Sequence, residues 1–118
     1  MNSEVKKLMN QQINSELESA YLYLEFANYF TDSNLDGYAN YYQVQAKEEI
    51  NHAMLFYNYL HMQKEKIKLL IIKEPQSNFK SIEEILKEGL KAECSISKMI
   101  NNIYECAEEN KDYEQIDT

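Results

Sequence analysis

Apolar residues repeat at steps of three and four along three separate stretches of this chain. Such spacing collects them on one face of an α-helix, so each stretch predicts a long amphipathic helix. We predict helices over residues 4–33, 36–63 and 82–110. The chain has only two glycines and one proline to interrupt regular structure, and the sequence therefore predicts an all-α protein.

The connections between these helices differ in length and composition. The segment Asn34 to Gly37 tolerates tight-turn geometry, so the second helix should return antiparallel beside the first. Residues 64–80 lose the helical period and contain Pro75. At about 3.3 Å per residue this crossover reaches about 55 Å, more than the length of about 40 Å of the second helix, so the third helix can run parallel to the second. Ser81 and Glu84 predict a capping box at its start.

Two antiparallel helices, a long crossover and a third helix form the beginning of a four-helix bundle. The chain has 118 residues, and we expect one domain over residues 1–118 that includes only the first three helices. Residues 111–118 predict a turn and the start of another element. The sequence therefore predicts a chain truncated before the fourth helix, with an apolar trough where that helix would pack.

Charged side chains interrupt the middle of each apolar stripe. The three stripes are Met9, Ile13, Glu16, Ala20, Tyr23 and Ala27; Tyr42, Gln45, Glu49, His52, Phe56 and Tyr59; and Leu86, Leu90, Glu93, Ser97 and Ile100. Carboxylates are rarely buried without a compensating partner, so Glu16, Glu49 and Glu93 on inward faces indicate a bound cation. Because each lies near the midpoint of its helix, we expect them at one level of the bundle.

Glu49 and His52 have Glu-x-x-His spacing, which directs a carboxylate and an imidazole to one point from neighbouring turns. Oxygen-rich ligation with an imidazole suits iron or manganese, whereas structural zinc sites favour Cys and more His. Ferritin-like di-metal bundles use one Glu from each of two helices and a Glu-x-x-His from each of the other two. Glu16 and Glu93 would be the single glutamates, and one Glu-x-x-His is present.

Three stretches together resemble bacterial non-haem ferritin, and the resemblance covers essentially the whole chain. They are NSELESAYLYL at residues 14–24, AKEEINHA at residues 46–53 and NKDY at residues 110–113. The resemblance implies a ferritin-like four-helix bundle with a di-iron, non-haem site. Ile50 stands where haem-binding relatives have Met, so we expect no haem.

The resemblance also implies roles for individual residues. The iron-binding residues that it implies are Glu16, Glu49 and His52 around one iron, Glu49 and Glu93 on a second, and Glu48 facing an accessory iron. Tyr23 is implied as a nearby candidate electron donor. Ferritins of this type take further glutamates from the fourth helix, so the second iron would keep only Glu49 and Glu93.

The implied activity is that of an enzyme, a ferroxidase that oxidises Fe(II) with dioxygen or peroxide and stores the product as Fe(III) mineral. Ferritins assemble into a shell of twenty-four subunits, and the apolar run Leu69 to Ile72 would pack in a two-fold dimer. Two alternatives stay open. One is a rubrerythrin-like di-iron peroxidase, although the chain has no Cys-x-x-Cys pair. The other is an inactive truncated subunit that only binds metal.

Several of these residues also have ordinary structural explanations. Tyr23 fits a buried core tyrosine almost as well as a redox residue. Glu48 fits a solvated surface charge as well as an accessory ligand. Gln45 is expected to hydrogen-bond to a metal ligand rather than to bind metal, and His61 is expected to be exposed.

Composition restricts the partners and the location. The net charge is −8, with twelve Lys and no Arg, which argues against a nucleic-acid partner. No apolar run approaches the roughly 20 residues that span a bilayer, and the N-terminus lacks the features of a secretory signal. We therefore expect a cytoplasmic protein with no membrane partner. Cys94 and Cys106 lie about 18 Å apart along one predicted helix, too far to bridge, and are expected to be reduced.

Overall fold

Three long helices account for most of the computed structural model, which describes residues 1–110. The helices are α1 (Ser3–Asp32), α2 (Asp36–Met62) and α3 (Ile82–Glu109), and each bound lies within one residue of the prediction. Residues 111–118, with the turn predicted there, lie outside the described residues. The helices form an elongated body of 49 × 22 × 22 Å. The all-α architecture predicted from the sequence is confirmed.

The helix directions follow from two hydrophobic clusters, one toward each end of the bundle. The aromatic cluster joins the end of α1 to the starts of α2 and α3; its buried members are Ala20, Tyr23, Phe26, Ala27, Phe30, Ala39, Tyr42, Ala46, Phe79 and Ile85. The aliphatic cluster joins the start of α1 to the ends of α2 and α3; its buried members are Val5, Met9, Ile13, Ala53, Tyr59, Leu60, Ile103 and Ala107. α1 is therefore antiparallel to both partners, and α2 and α3 run parallel.

Polar side chains fix the ends of the helices. Asn2 Oδ1 caps α1 by accepting hydrogen bonds from the backbone N–H groups of Glu4 and Val5. At the start of α3, Ser81 Oγ accepts from Glu84 N at 3.2 Å, as predicted. The reciprocal half of the capping box differs, because Glu84 Oε2 accepts from Lys80 N at 2.9 Å instead of from Ser81 N. Glu84 thus ties the last crossover residue to α3.

The crossover is bound to α1 by two asparagine side chains. Asn10 accepts from Lys68 N at 2.9 Å and donates to Lys68 O at 3.1 Å. Asn14 accepts from Leu70 N at 2.7 Å and donates to Lys68 O at 3.0 Å. These amides satisfy backbone groups of an extended segment much as a neighbouring strand would. The crossover therefore follows α1 without forming a sheet.

The buried face of α3 differs from the predicted one. Leu86 and Leu90 of the predicted stripe are 48% and 67% exposed, and Glu93 and Ser97 are exposed as well. The buried positions of α3 are Ile85, Gly89, Ile96, Ile103 and Ala107. The reason is that α3 packs against α1 and makes only slight contact with α2. The predicted stripe borders an open trough between α2 and α3, with α1 as its floor.

A second apolar surface lies on the crossover. Leu69, Leu70 and Ile71 are 62%, 50% and 87% exposed. Contiguous exposed apolar residues commonly mark an interface. Within the described residues, no helix is both long enough and apolar enough to span a bilayer.

Candidate metal centre

Three polar residues lie between the two hydrophobic clusters, where α1 faces α2. Glu16 comes from α1, and Glu49 and His52 come from successive turns of α2. Glu16 is fully buried and Glu49 is 3% exposed, whereas the side chain of His52 is half exposed. The periodicity that builds the amphipathic faces therefore also brings two carboxylates and one imidazole together.

The geometry of these three side chains fits a metal ion. His52 Nδ1 lies 3.7 Å from Glu16 Oε2 and 3.7 Å from Glu49 Oε2. One candidate ligand atom from each residue lies within 4.8 Å of the others. Both of these carboxylate oxygens are buried and have no hydrogen-bond partner among the described residues. Buried, unpaired carboxylate charge is strongly unfavourable, and a cation between the three atoms would offset it.

Electrostatics within the group favour a proton on Glu49 when no cation is bound. Burial raises the pKa of Glu49 to about 9, and proximity to Glu16 and then to Glu93 contributes to the rise. Like charges that share one site cannot all ionise without penalty. A divalent cation would replace that proton and bind both carboxylates in their ionised forms.

Tyr23 joins α3 to the centre. Its hydroxyl donates a hydrogen bond to Glu93 Oε1. Burial raises the pKa of Tyr23 well above its usual range, with further contributions from the bond to Glu93 and from the charges of Glu93 and Glu49. The phenol therefore stays protonated and acts as a donor. Glu93 is exposed on the trough, so it lies beside the buried group rather than within it.

The other residues singled out from the sequence lie farther from the centre or on its margin. Glu48 and Ile50 are exposed, and Glu48 is not part of the compact group. Gln45 is partly buried and lines a cavity of about 250 Å³ in the trough together with Tyr23 and Glu93. His61 is exposed, as expected, and its ring packs against Tyr57 at 4.4 Å between centroids.

A second cavity in the trough borders the metal centre, on the side of His52. A cavity of about 200 Å³ contacts Glu16 and His52, and the rest of its wall comes from Leu55, Phe56, Ile100, Ile103 and Tyr104. Its lining is mostly apolar, and it lies between α2 and α3. A small ion or molecule in the trough can therefore approach the half-exposed imidazole of His52, beside the buried Glu16.

Sequence reasoning missed one residue of the centre, Gln12. Its side chain is fully buried, and Nε2 donates a hydrogen bond of 3.0 Å to Glu16 Oε1. The signal in the sequence is a polar amide four residues before Glu16, which places both on one face of α1. A buried Gln among the apolar residues Met9 and Ile13 is informative because it requires a partner.

Comparisons with known proteins agree with this architecture. The family model described as ferritin-like domain matches residues 6–118. A bacterial non-heme ferritin of Staphylococcus haemolyticus is 34% identical over 116 residues, which are 98% of this chain and 70% of that protein. The bacterial non-heme ferritin of Campylobacter jejuni is also 34% identical, over 113 residues, which are 96% of this chain and 68% of that protein. An open pore ferritin of Archaeoglobus fulgidus superposes with a TM-score of 0.93 at 32% identity, over 98% of this chain and 71% of the other.

Proposed function

The chain belongs to the ferritin family, and on that premise we propose that it binds Fe(II) and oxidises it for storage as Fe(III) mineral. Iron is the substrate and the cargo of this activity. Glu16, Glu49 and His52 would hold one Fe(II), and Glu49 would also contact a second that Glu93 binds. Each Fe(II) gives up one electron, so two of them reduce dioxygen to peroxide, or peroxide to water.

One observation carries the proposal: two buried carboxylate oxygens that have no hydrogen-bond partner among residues 1–110 each lie 3.7 Å from the same imidazole nitrogen. Hard oxygen donors with one imidazole suit iron, and anionic ligands stabilise Fe(III) over Fe(II). The dense packing of α1 against α2 holds this donor set in place before metal arrives. Ligands that are already oriented bind with a smaller entropic cost.

The second iron position, on the side of α3, would have fewer protein ligands than the first. Glu93 is the carboxylate that α3 brings near Glu49, and Tyr23 holds it by a hydrogen bond. Iron bound there would be exposed to the trough, which offers a route for the oxidant. Tyr23 would supply an electron to that side, and Glu48, on the surface of α2, would serve an accessory iron.

Stopped-flow oxidation of Fe(II) in air tests the proposal. We expect the wild-type chain to accelerate the oxidation over buffer and the Glu49→Ala, His52→Ala double variant to lose that acceleration. Glu25→Gln is the control, because Glu25 is a carboxylate of α1 that lies nine residues beyond Glu16. We expect this variant to oxidise Fe(II) at the wild-type rate. Equal rates for the wild type and the double variant would overturn the assignment.

The same preparation separates the two alternatives. Peroxide turnover driven by an external reductant, without growth of ferric mineral, would favour a rubrerythrin-like peroxidase. Tight binding of Fe(II) without accelerated oxidation would favour an inactive metal-binding subunit. Accelerated oxidation that yields a soluble Fe(III) product, measured as ferric absorbance without precipitation, supports the storage function.

We also propose that the chain, as one ferritin-like di-iron domain, self-assembles in the cytoplasm. The exposed residues Leu69 to Ile71 support a two-fold dimer as the first step toward a closed shell. The reduced, exposed thiol of Cys94 fits a reducing compartment. Native mass spectrometry measures the assembly: a large closed oligomer supports the shell, and a monomer as the main species contradicts the dimer.

A further inference from the structure

We propose that Gln12 is a positioning residue for the metal centre, which orients the carboxylate of Glu16 toward the ion. This inference rests on the proposed metal site and adds to it a residue that binds no metal itself. Gln12 and Glu16 are both fully buried on α1 and are one helical turn apart.

The two oxygens of Glu16 have different environments. Oε1 accepts the hydrogen bond from Gln12 Nε2 at 3.0 Å, while Oε2 has no hydrogen-bond partner in the part of the chain that the structure describes and lies 3.7 Å from His52 Nδ1. A bond to one oxygen restricts rotation of the carboxylate and keeps the other oxygen directed at the imidazole. The hydrogen bond from Gln12 thus holds one carboxylate oxygen of Glu16 and leaves the other available to a cation.

Packing alone does not explain a glutamine at this position. Gln12 Oε1 is buried and accepts no hydrogen bond from the described residues, which costs the desolvation of a polar atom. The neighbouring buried positions of the same helix, Met9 and Ile13, are apolar. A methionine would fill a similar volume without that cost, so the contribution of Gln12 is its donor group.

The expected consequence concerns affinity and coordination geometry. Partners that orient a metal ligand typically change metal affinity by about 10- to 100-fold when they are removed. Loss of the Gln12 donor should leave Glu16 free to rotate between orientations, only some of which direct Oε2 at the ion. Metal binding should weaken while the metal-free fold stays intact.

Co(II) titration of the full-length chain tests the proposal, with the visible absorption of bound Co(II) as a report on its coordination. In Gln12→Met we expect Co(II) to bind about tenfold more weakly, with an altered visible spectrum. The metal-free variant should stay folded and unfold near or somewhat below the wild-type temperature, because the substitution removes one buried unpaired oxygen but also removes the donor to the buried Glu16 Oε1. Met9→Leu is the control for packing, since it changes a buried side chain three residues away without touching a donor.

The outcomes are distinguishable. Wild-type affinity and spectrum in Gln12→Met would overturn the role of Gln12, as would an equal loss of affinity in Met9→Leu. If the wild-type chain itself binds no Co(II), the proposed metal site fails and this inference fails with it. The side-chain amide of Gln12 gives a readout that needs no variant: its ¹⁵N and ¹H signals should shift on addition of diamagnetic Zn(II), and unchanged signals at saturation would contradict the proposal.

Discussion

The two sides of the candidate metal centre are built differently. On the α1 and α2 side, Glu16 and Glu49 are buried and their free oxygens converge with His52 Nδ1. On the α3 side, Glu93 is exposed and is held by Tyr23. The difference follows from packing, because α1 packs along the length of α2, whereas α3 contacts α1 and leaves the trough open.

Burial determines which side needs a cation. Water can solvate Glu93, and Tyr23 gives it a donor, so this carboxylate is satisfied without metal. The free oxygens of Glu16 and Glu49 have neither water nor a donor from residues 1–110, and without metal only the proton on Glu49 offsets their charge. We therefore expect the first metal to bind on the α1 and α2 side, with α3 contributing to a weaker second position.

The largest expected effect comes from removing a ligand on the buried side. Glu16→Ala should weaken Fe(II) binding by more than about 100-fold, since loss of a ligand exceeds the usual effect of losing an orienting neighbour. Anaerobic isothermal titration calorimetry measures the change, with Glu25→Gln as the control. A change of less than about threefold would mean that the buried side is not the primary site.

The pH dependence of binding should be the next largest effect. Because the pKa of Glu49 is raised to about 9, a metal ion must displace a proton below that pH. Affinity for Co(II) should therefore rise by up to about tenfold for each pH unit between pH 6 and 8, and a pH indicator should record proton release. Affinity that is flat across this range, with no proton released, is the contradicting result.

The stability of the metal-free chain should change with pH in the opposite sense. Unfolded Glu49 loses its proton near pH 4.3 and folded Glu49 near 9, so between these values the folded state binds more protons. Stability should then fall as the pH rises through this window, by at most about 1.4 kcal/mol per unit. Thermal unfolding with a chelator present measures it. The permanently neutral Glu49→Gln should have a flatter profile, and an equally steep one would refute the assignment to Glu49.

The smallest expected effect comes from the α3 side. Glu93→Gln should change the affinity for the first Fe(II) by less than about threefold, because an exposed side chain contributes little to a neighbouring buried site. The same variant should lose binding of a second Fe(II). Titration stoichiometry checks both statements. If Glu93→Gln weakened binding of the first Fe(II) as much as Glu16→Ala does, the two sides would not differ in the way proposed.

The sequence predicts the α1 side of the fold and of the centre well, for a physical reason. Met9, Ile13, Glu16, Ala20, Tyr23 and Ala27 are all buried, because α1 lies between two partners and its stripe is read correctly from helical periodicity. The juxtaposition of Glu16 with Glu49 and His52 follows from the same pattern. Their role as metal ligands stays a prediction.

Helical periodicity does not predict which face of α3 is buried, nor the hydrogen bond that Gln12 makes. Leu86, Leu90 and Ile100 have the spacing of a core stripe, but the face that becomes buried depends on which helices are present to cover it. With α1 as the main partner of α3 in residues 1–110, burial moves to Ile85, Gly89 and Ile96. The bond from Gln12 to Glu16 depends on side-chain rotamers, which a sequence pattern does not specify.

Anomalous diffraction at the iron edge, from crystals soaked anaerobically in Fe(II), would locate the first metal position. We expect a strong peak within bonding distance of Glu16 Oε2, Glu49 Oε2 and His52 Nδ1, and a weaker peak or none between Glu49 and Glu93. A peak beside Glu93 with none at His52 would show that the buried side is not the primary site, as would iron confined to surface carboxylates such as Glu48.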